Sequence, residues 1–184
     1  MKNYKPNKHH RKSIRLKEYD YSNPNWYYVT ICTNNHHCIF GKVKNGRMVL
    51  NRIGKIVDDE WLRTKKIREN IDLDYYVTMP NHIHGIIIIE RRGELYSPQT
   101  ENQGRMRYAP TDKFKSPSQS LGSIIRGFKS SVTKRINEMS GSTIFPVWQR
   151  NYYDHIIRNE QDLHRIRKYI QNNPLKWALD EYYN

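Results

Sequence analysis

Four consecutive isoleucines, Ile86 to Ile89, constrain this chain more than any other feature. Such a run is short for a helix and suits a buried strand. It completes the stretch 82–90, and a Tyr- and Val-rich stretch at 73–79 precedes it, separated by Pro80-Asn81. These two strands read as the centre of a sheet. The β-branched and aromatic stretch 26–33, with Pro24 just before it, is a third strand. Stretches 38–43 and 47–51 flank Lys44-Asn45-Gly46, whose Asn-Gly pair signals a hairpin turn. Ile53, Ile56, Val57 and Trp61 recur at helical spacing in an amphipathic segment running to about Lys66. Leu121, Ile124, Ile125, Phe128, Val132, Ile136 and Met139 do the same, with Gly141 closing that helix and Arg126, Lys129, Lys134 and Arg135 on its other face. An extended element at 145–157 and a helix at 160–172, stopped by Pro174, complete the order. Strand, helix, strand, strand, helix, strand, with an added hairpin, predicts an α+β, ferredoxin-like antiparallel sheet with helices packed on one face. The uncovered face is where a ligand can lie.

The 184 residues suit one domain spanning 18–184, behind a basic arm at 1–17 that holds seven Lys or Arg. The segment 91–118 is long, polar and scattered with Gly and Pro, so it reads as a functional or disordered loop. A formal net charge of +14 favours a polyanionic partner, nucleic acid first. No stretch approaches the roughly 20 apolar residues of a membrane span. The basic N-terminus lacks the apolar core of a secretion signal. Two cysteines, Cys32 and Cys38, are too few for a disulfide framework, and a cytoplasmic location is expected. Fourteen tyrosines and four tryptophans supply rings for stacking on unpaired bases, although many must be core.

In Pro80-Asn81-His82-Ile83-His84-Gly85 the two histidines are two residues apart, so a strand sends both imidazoles to one face. That spacing fits a metal site, and it equally fits polar strand surface. With Leu163, Ile166 and Ile170 as the buried stripe of the last helix, a turn of about 100° per residue places Tyr169 and Asn173 together at its edge. They are candidates for a nucleophile and a ligand, or for an interface tyrosine and a helix cap. A phenol with a pKa near 10 attacks a phosphodiester only where the site promotes its deprotonation, and a metal on neutral imidazoles and an amide oxygen supplies the matching Lewis acid.

Four motifs stand in order: Met79-Pro-Asn-His-Ile-His-Gly, Ser120-Leu-Gly-Ser-Ile-Ile-Arg-Gly-Phe-Lys-Ser, Trp148-Gln-Arg-Asn-Tyr-Tyr-Asp-His-Ile-Ile-Arg and Tyr169-Ile-Gln-Asn-Asn-Pro. From about Trp26 to Trp177 the chain resembles the REP-associated tyrosine transposases of the HUH single-tyrosine nuclease superfamily. The resemblance implies that His82, His84 and Asn173 hold Mg²⁺ or Mn²⁺. It implies that Tyr169 forms a 5′-phosphotyrosine link to single-stranded DNA beside a hairpin. DNA contacts are then expected from Arg126, Lys129, Lys134, Trp148, Gln149, His155 and Arg158, and from Arg105 and Arg107 in the long loop. His155 also reads as a structural histidine, and Trp148 as core. A non-cleaving binder of structured single strands, or a replication initiator or relaxase of the same superfamily, are the other readings. A monomer and a homodimer both fit, the latter with a site built from two chains.

Overall fold

A computed structural model of the protein describes residue 16 and residues 19–90, 119–141 and 146–183. The expected 91–118 loop, with Arg105 and Arg107, lies outside the described residues, as does the basic arm apart from Leu16.

The sheet has four antiparallel strands in the spatial order β4-β5-β1-β6. β1 (Asn25–Cys32) and β5 (His82–Ile89) pair along their full lengths at its centre, with β4 (Ile71–Thr78) outside β5 and β6 (Tyr153–Ile157) outside β1. This is the ferredoxin-like arrangement, an α+β fold. The hairpin of β2 (Gly41–Lys44) and β3 (Arg47–Leu50) stands apart as its own two-stranded sheet. Asn45 and Gly46 both take positive φ, 51° and 70°, the conformation the Asn-Gly signal called for.

Three helices follow the expected periodicities, each opened by a side-chain cap. Asn51 caps α1 (Arg52–Lys66), Ser120 caps α2 (Leu121–Ser140) and Asn159 caps α3 (Glu160–Asn172), each accepting from a backbone N–H in the first turn. Gly141 ends α2 in the left-handed conformation at φ 67°. After α3, a 3-10 segment, Pro174–Leu179, turns the chain back. None of the described helices is long and apolar enough to cross a membrane.

Strand periodicity sorts the core into two layers. Tyr27, Val29, Ile31, Ile83, Ile87 and Ile89 pack against α1 and α2 through Val57, Trp61, Ile124, Phe128 and Val132. Tyr28, Ile86 and Ile157 project the other way, onto Leu163, Ile166 and Ile170 of α3. Two helices therefore cover one face, as expected, and the third covers part of the opposite face. The isoleucine run is explained by this double cover, because every residue of β5 is buried. The last strand is shorter than the 145–157 expected. Trp148 makes only an isolated bridge to Thr33, and Asn151 at φ 69° bends the chain before regular pairing begins at Tyr153.

Candidate metal and nucleophile site

His82 and His84 emerge from β5 on the face that carries α3, their rings 4.4 Å apart and both essentially inaccessible. Their tautomers follow from their neighbours. The Asn81 amide nitrogen donates to two backbone carbonyls, those of His36 at 3.0 Å and Tyr182 at 2.7 Å, which fixes its oxygen toward His82 Nδ1 at 2.8 Å. His82 Nδ1 is thus the protonated nitrogen, and Nε2 keeps its lone pair. That Nε2 is buried and has no hydrogen-bond partner. His84 Nδ1 lies 2.7 Å from Tyr28 Oη and 2.9 Å from Thr30 Oγ1, two hydroxyls able to accept its proton and leave Nε2 as the lone pair.

Asn173 supplies a second orphan. Its amide nitrogen donates to Asp180 Oδ2 at 2.7 Å, and its Oδ1 is buried without a partner. Two buried acceptors with no donor are costly in an apolar surrounding and suit a cation. The carboxylate of Asp180 completes the set, since one ligand atom each from His82, His84 and Asp180 lie within 4.8 Å of one another. This mixture of imidazole nitrogen, amide oxygen and carboxylate oxygen fits a divalent ion. Burial keeps both imidazoles neutral: it drives His82 down to about 4 despite the opposing charge of Asp180, and His84 well below its ordinary range.

Tyr169 stands at the edge of the buried stripe of α3, 43% exposed, with Oη 3.4 Å from His84 Nε2. The nucleophile and ligand candidates therefore meet within one chain. Burial, and next the negative charge of Asp180, raise its phenol to about 12, so the hydroxyl stays protonated at neutral pH in the metal-free site.

The residues that sequence reasoning missed lie in the segment after Pro174. Asp180 joins the ligand cluster, and the ring of Tyr182 covers His82 with centroids 4.7 Å apart. No spacing rule points to them, since a 3-10 turn and a bend return them to the sheet. Asn81 belongs to the Met79-Pro-Asn-His-Ile-His-Gly motif, but its part in fixing the tautomer emerges only from its partners.

The expected DNA-contacting residues separate into two places. Arg126, Lys129, Lys134, Trp148 and Gln149 line a shallow groove between α2 and the segment before β6, on the far side of the sheet edge from the histidines. Lys129 donates to the carbonyls of Gln149 and Asn151 and anchors that segment, and burial lowers it to about 8. Trp148 packs against Phe40 and Phe128 and donates to the Lys129 carbonyl, which is a core role. Lys134 pairs with Glu138 at 3.8 Å on the surface, and Arg126, Gln149 and Arg158 are exposed. His155 lies on the histidine face, with Nε2 2.7 Å from Asp162 Oδ2, and lines the same cleft as Tyr28, Tyr169 and Tyr182.

The fold is similar to that of a solved structure described as a REP-associated tyrosine transposase bound to a REP hairpin. The two share 16% identity with a TM-score of 0.56, over 91% of this chain and 76% of that one. The resemblance carried by the four motifs is therefore matched in the fold. No family model matches the sequence. The chain belongs to the same family as a Haemophilus influenzae protein described as uncharacterized, with which it is 45% identical over 177 residues, 95% of this chain and 94% of the relative.

Proposed function

We propose that this protein is a metal-dependent DNA strand transferase that cuts and rejoins unpaired DNA beside a hairpin, with Tyr169 as nucleophile. The approach of Tyr169 Oη to His84 Nε2 at 3.4 Å, beside the unpartnered lone pairs of His82 and Asn173, carries this reading. A net charge of +14 and the fold shared with a hairpin-bound transposase support DNA as the substrate.

In the proposed step, the Tyr169 oxygen bonds to the phosphorus of a backbone phosphodiester, and the bond from phosphorus to the preceding 3′ oxygen breaks. The phenol loses its proton, the departing 3′ oxygen gains one, and the DNA remains joined through its 5′ phosphate to the tyrosine. One phosphoester replaces another, so a 3′ hydroxyl can reverse the step without an external energy source. Mg²⁺ or Mn²⁺ on His82, His84, Asn173 and Asp180 would neutralise charge on the phosphate and favour the phenolate. Beyond the nucleophile itself, the chain's contribution is positional. Asn81, Tyr28 and Thr30 fix the imidazoles, and the buried stripe of α3 holds Tyr169 facing them.

Denaturant-resistant adducts on labelled hairpin DNA with unpaired tails test the reading. Wild-type protein with Mn²⁺ should form them, Tyr169→Phe should form none while binding hairpins normally, and His82→Ala should lose cleavage and metal response together. Adducts of wild-type yield in Tyr169→Phe, or in excess chelator, would sink the corresponding part. The covering of His82 by Tyr182 favours a second reading, a binder that grips structured strands without cutting. That reading gains if no metal and no tailed hairpin ever yields an adduct.

A further inference from the structure

We infer that Tyr153 and Arg165 form a nucleotide seat in the cleft beside Tyr169, where Tyr153 stacks on an unpaired base and Arg165 holds an adjoining phosphate. This deepens the strand-transfer reading and rests on it. A cleft of about 510 Å³ opens between β6 and α3, lined by Tyr28, Tyr153, Arg165, Tyr169 and Tyr182 among others. That volume falls within the range of small-ligand sites, so it accommodates a nucleotide.

Three rings cross the cleft in sequence. Tyr153 meets Tyr28 edge-on with centroids 6.2 Å apart, and Tyr28 meets Tyr169 at 6.3 Å. Tyr28 is buried and its hydroxyl is engaged with His84, whereas Tyr153 is 49% exposed. A half-exposed ring on an edge strand forgoes burial, and its position beside the nucleophile gives it a partner in an unstacked base. Pairing with β1 fixes the backbone of Tyr153 opposite Thr30, so its placement relative to the histidines is rigid.

Arg165 lies one helical turn before Tyr169 on α3. Asp162 Oδ1 accepts from one Arg165 nitrogen at 2.6 Å, while Asp162 Oδ2 faces His155 and the Asp162 backbone N–H donates to Asn159. Arg165 is therefore oriented from one side, and the remainder of a five-donor guanidinium, 72% exposed, is left for a phosphate. Glu181 also lines the cleft, and its charge disfavours a second phosphate on that side. The strand is thereby directed along the Tyr153 side.

The test uses a 5′-labelled oligothymidylate of 12 nucleotides in excess chelator, with binding read by fluorescence anisotropy, so cleavage plays no part. Tyr153→Ala and Tyr153→Leu should each weaken binding about tenfold. Tyr153→Trp should keep wild-type affinity and add fluorescence quenching on binding beyond that of the four native tryptophans. Arg165→Gln should weaken binding and make the logarithmic salt dependence shallower by about 0.7, one phosphate on a single strand. Wild-type affinity in Tyr153→Ala or Tyr153→Leu, or wild-type protein that does not hold the oligonucleotide, overturns the seat. Adduct formation by wild-type protein with unaltered binding in the Tyr153 variants would remove the seat alone, whereas tight, Tyr153-dependent binding without any adduct would remove the transferase alone.

Discussion

Within the His-Ile-His-Gly run, neighbouring residues answer to different demands. The histidines face the side that carries α3, whereas Ile83 and Gly85 face the opposite core. A Cβ on Gly85 would sit 2.3 Å from Trp61 Cζ2 and 2.9 Å from Cη2, against an indole that is 1% exposed. Gly85→Ala should therefore cost about 1–3 kcal/mol, read from the urea midpoint, through displacement of Trp61. A neutral effect would mean that the indole shifts freely. Period-two alternation is enough to put both histidines on one face, and helical spacing is enough to align Tyr169 with Asn173. The tautomers were not readable in this way, because they depend on Asn81 being locked by carbonyls from residues far away in the chain.

Among the elements, those with strong local signals could be read in advance. Helices α1 and α3 end where apolar spacing and Pro174 place their limits, and the hairpin turns at Asn45-Gly46. The segment after α3 carried no such signal, yet it delivers Asp180 to the histidines and holds its other oxygen at 2.8 Å from the Tyr182 backbone N–H. Asp180→Asn keeps an oxygen for that N–H, removes the charge and sets an amide nitrogen against the Asn173 amide nitrogen that donates to Oδ2. Its Mn²⁺ affinity, titrated calorimetrically, should drop by about tenfold or more, since ligand charge sets the strength of such sites. An unaltered affinity would place the carboxylate outside the coordination shell. The negative charge of Asp180 also helps to raise the Tyr169 phenol, so this variant should shift that group downward.

For the whole molecule, burying two neutral imidazoles gives a definite acid response. His82 falls from its ordinary 6.5 to about 4 on folding, and His84 moves the same way. The unfolded chain therefore binds protons first. Metal-free protein should hold constant stability from these groups above pH 6.5 and lose it progressively as the pH falls toward about 4. Urea midpoints in chelator at pH 8, 6 and 5 check the sign, and a rise on acidification would contradict the burial described.

The central strand β5 is paired on both edges and covered on both faces, and it carries both imidazoles. Loosening the ion-binding pair thus means breaking the sheet itself. Mn²⁺ at about 100 times its dissociation constant should raise the unfolding free energy by about 2.7 kcal/mol, seen as a higher melting temperature that chelator reverses. Thermal melts of the isolated chain would report the ion without any DNA, because the same strand serves as mainstay of the fold and as seat of the chemistry.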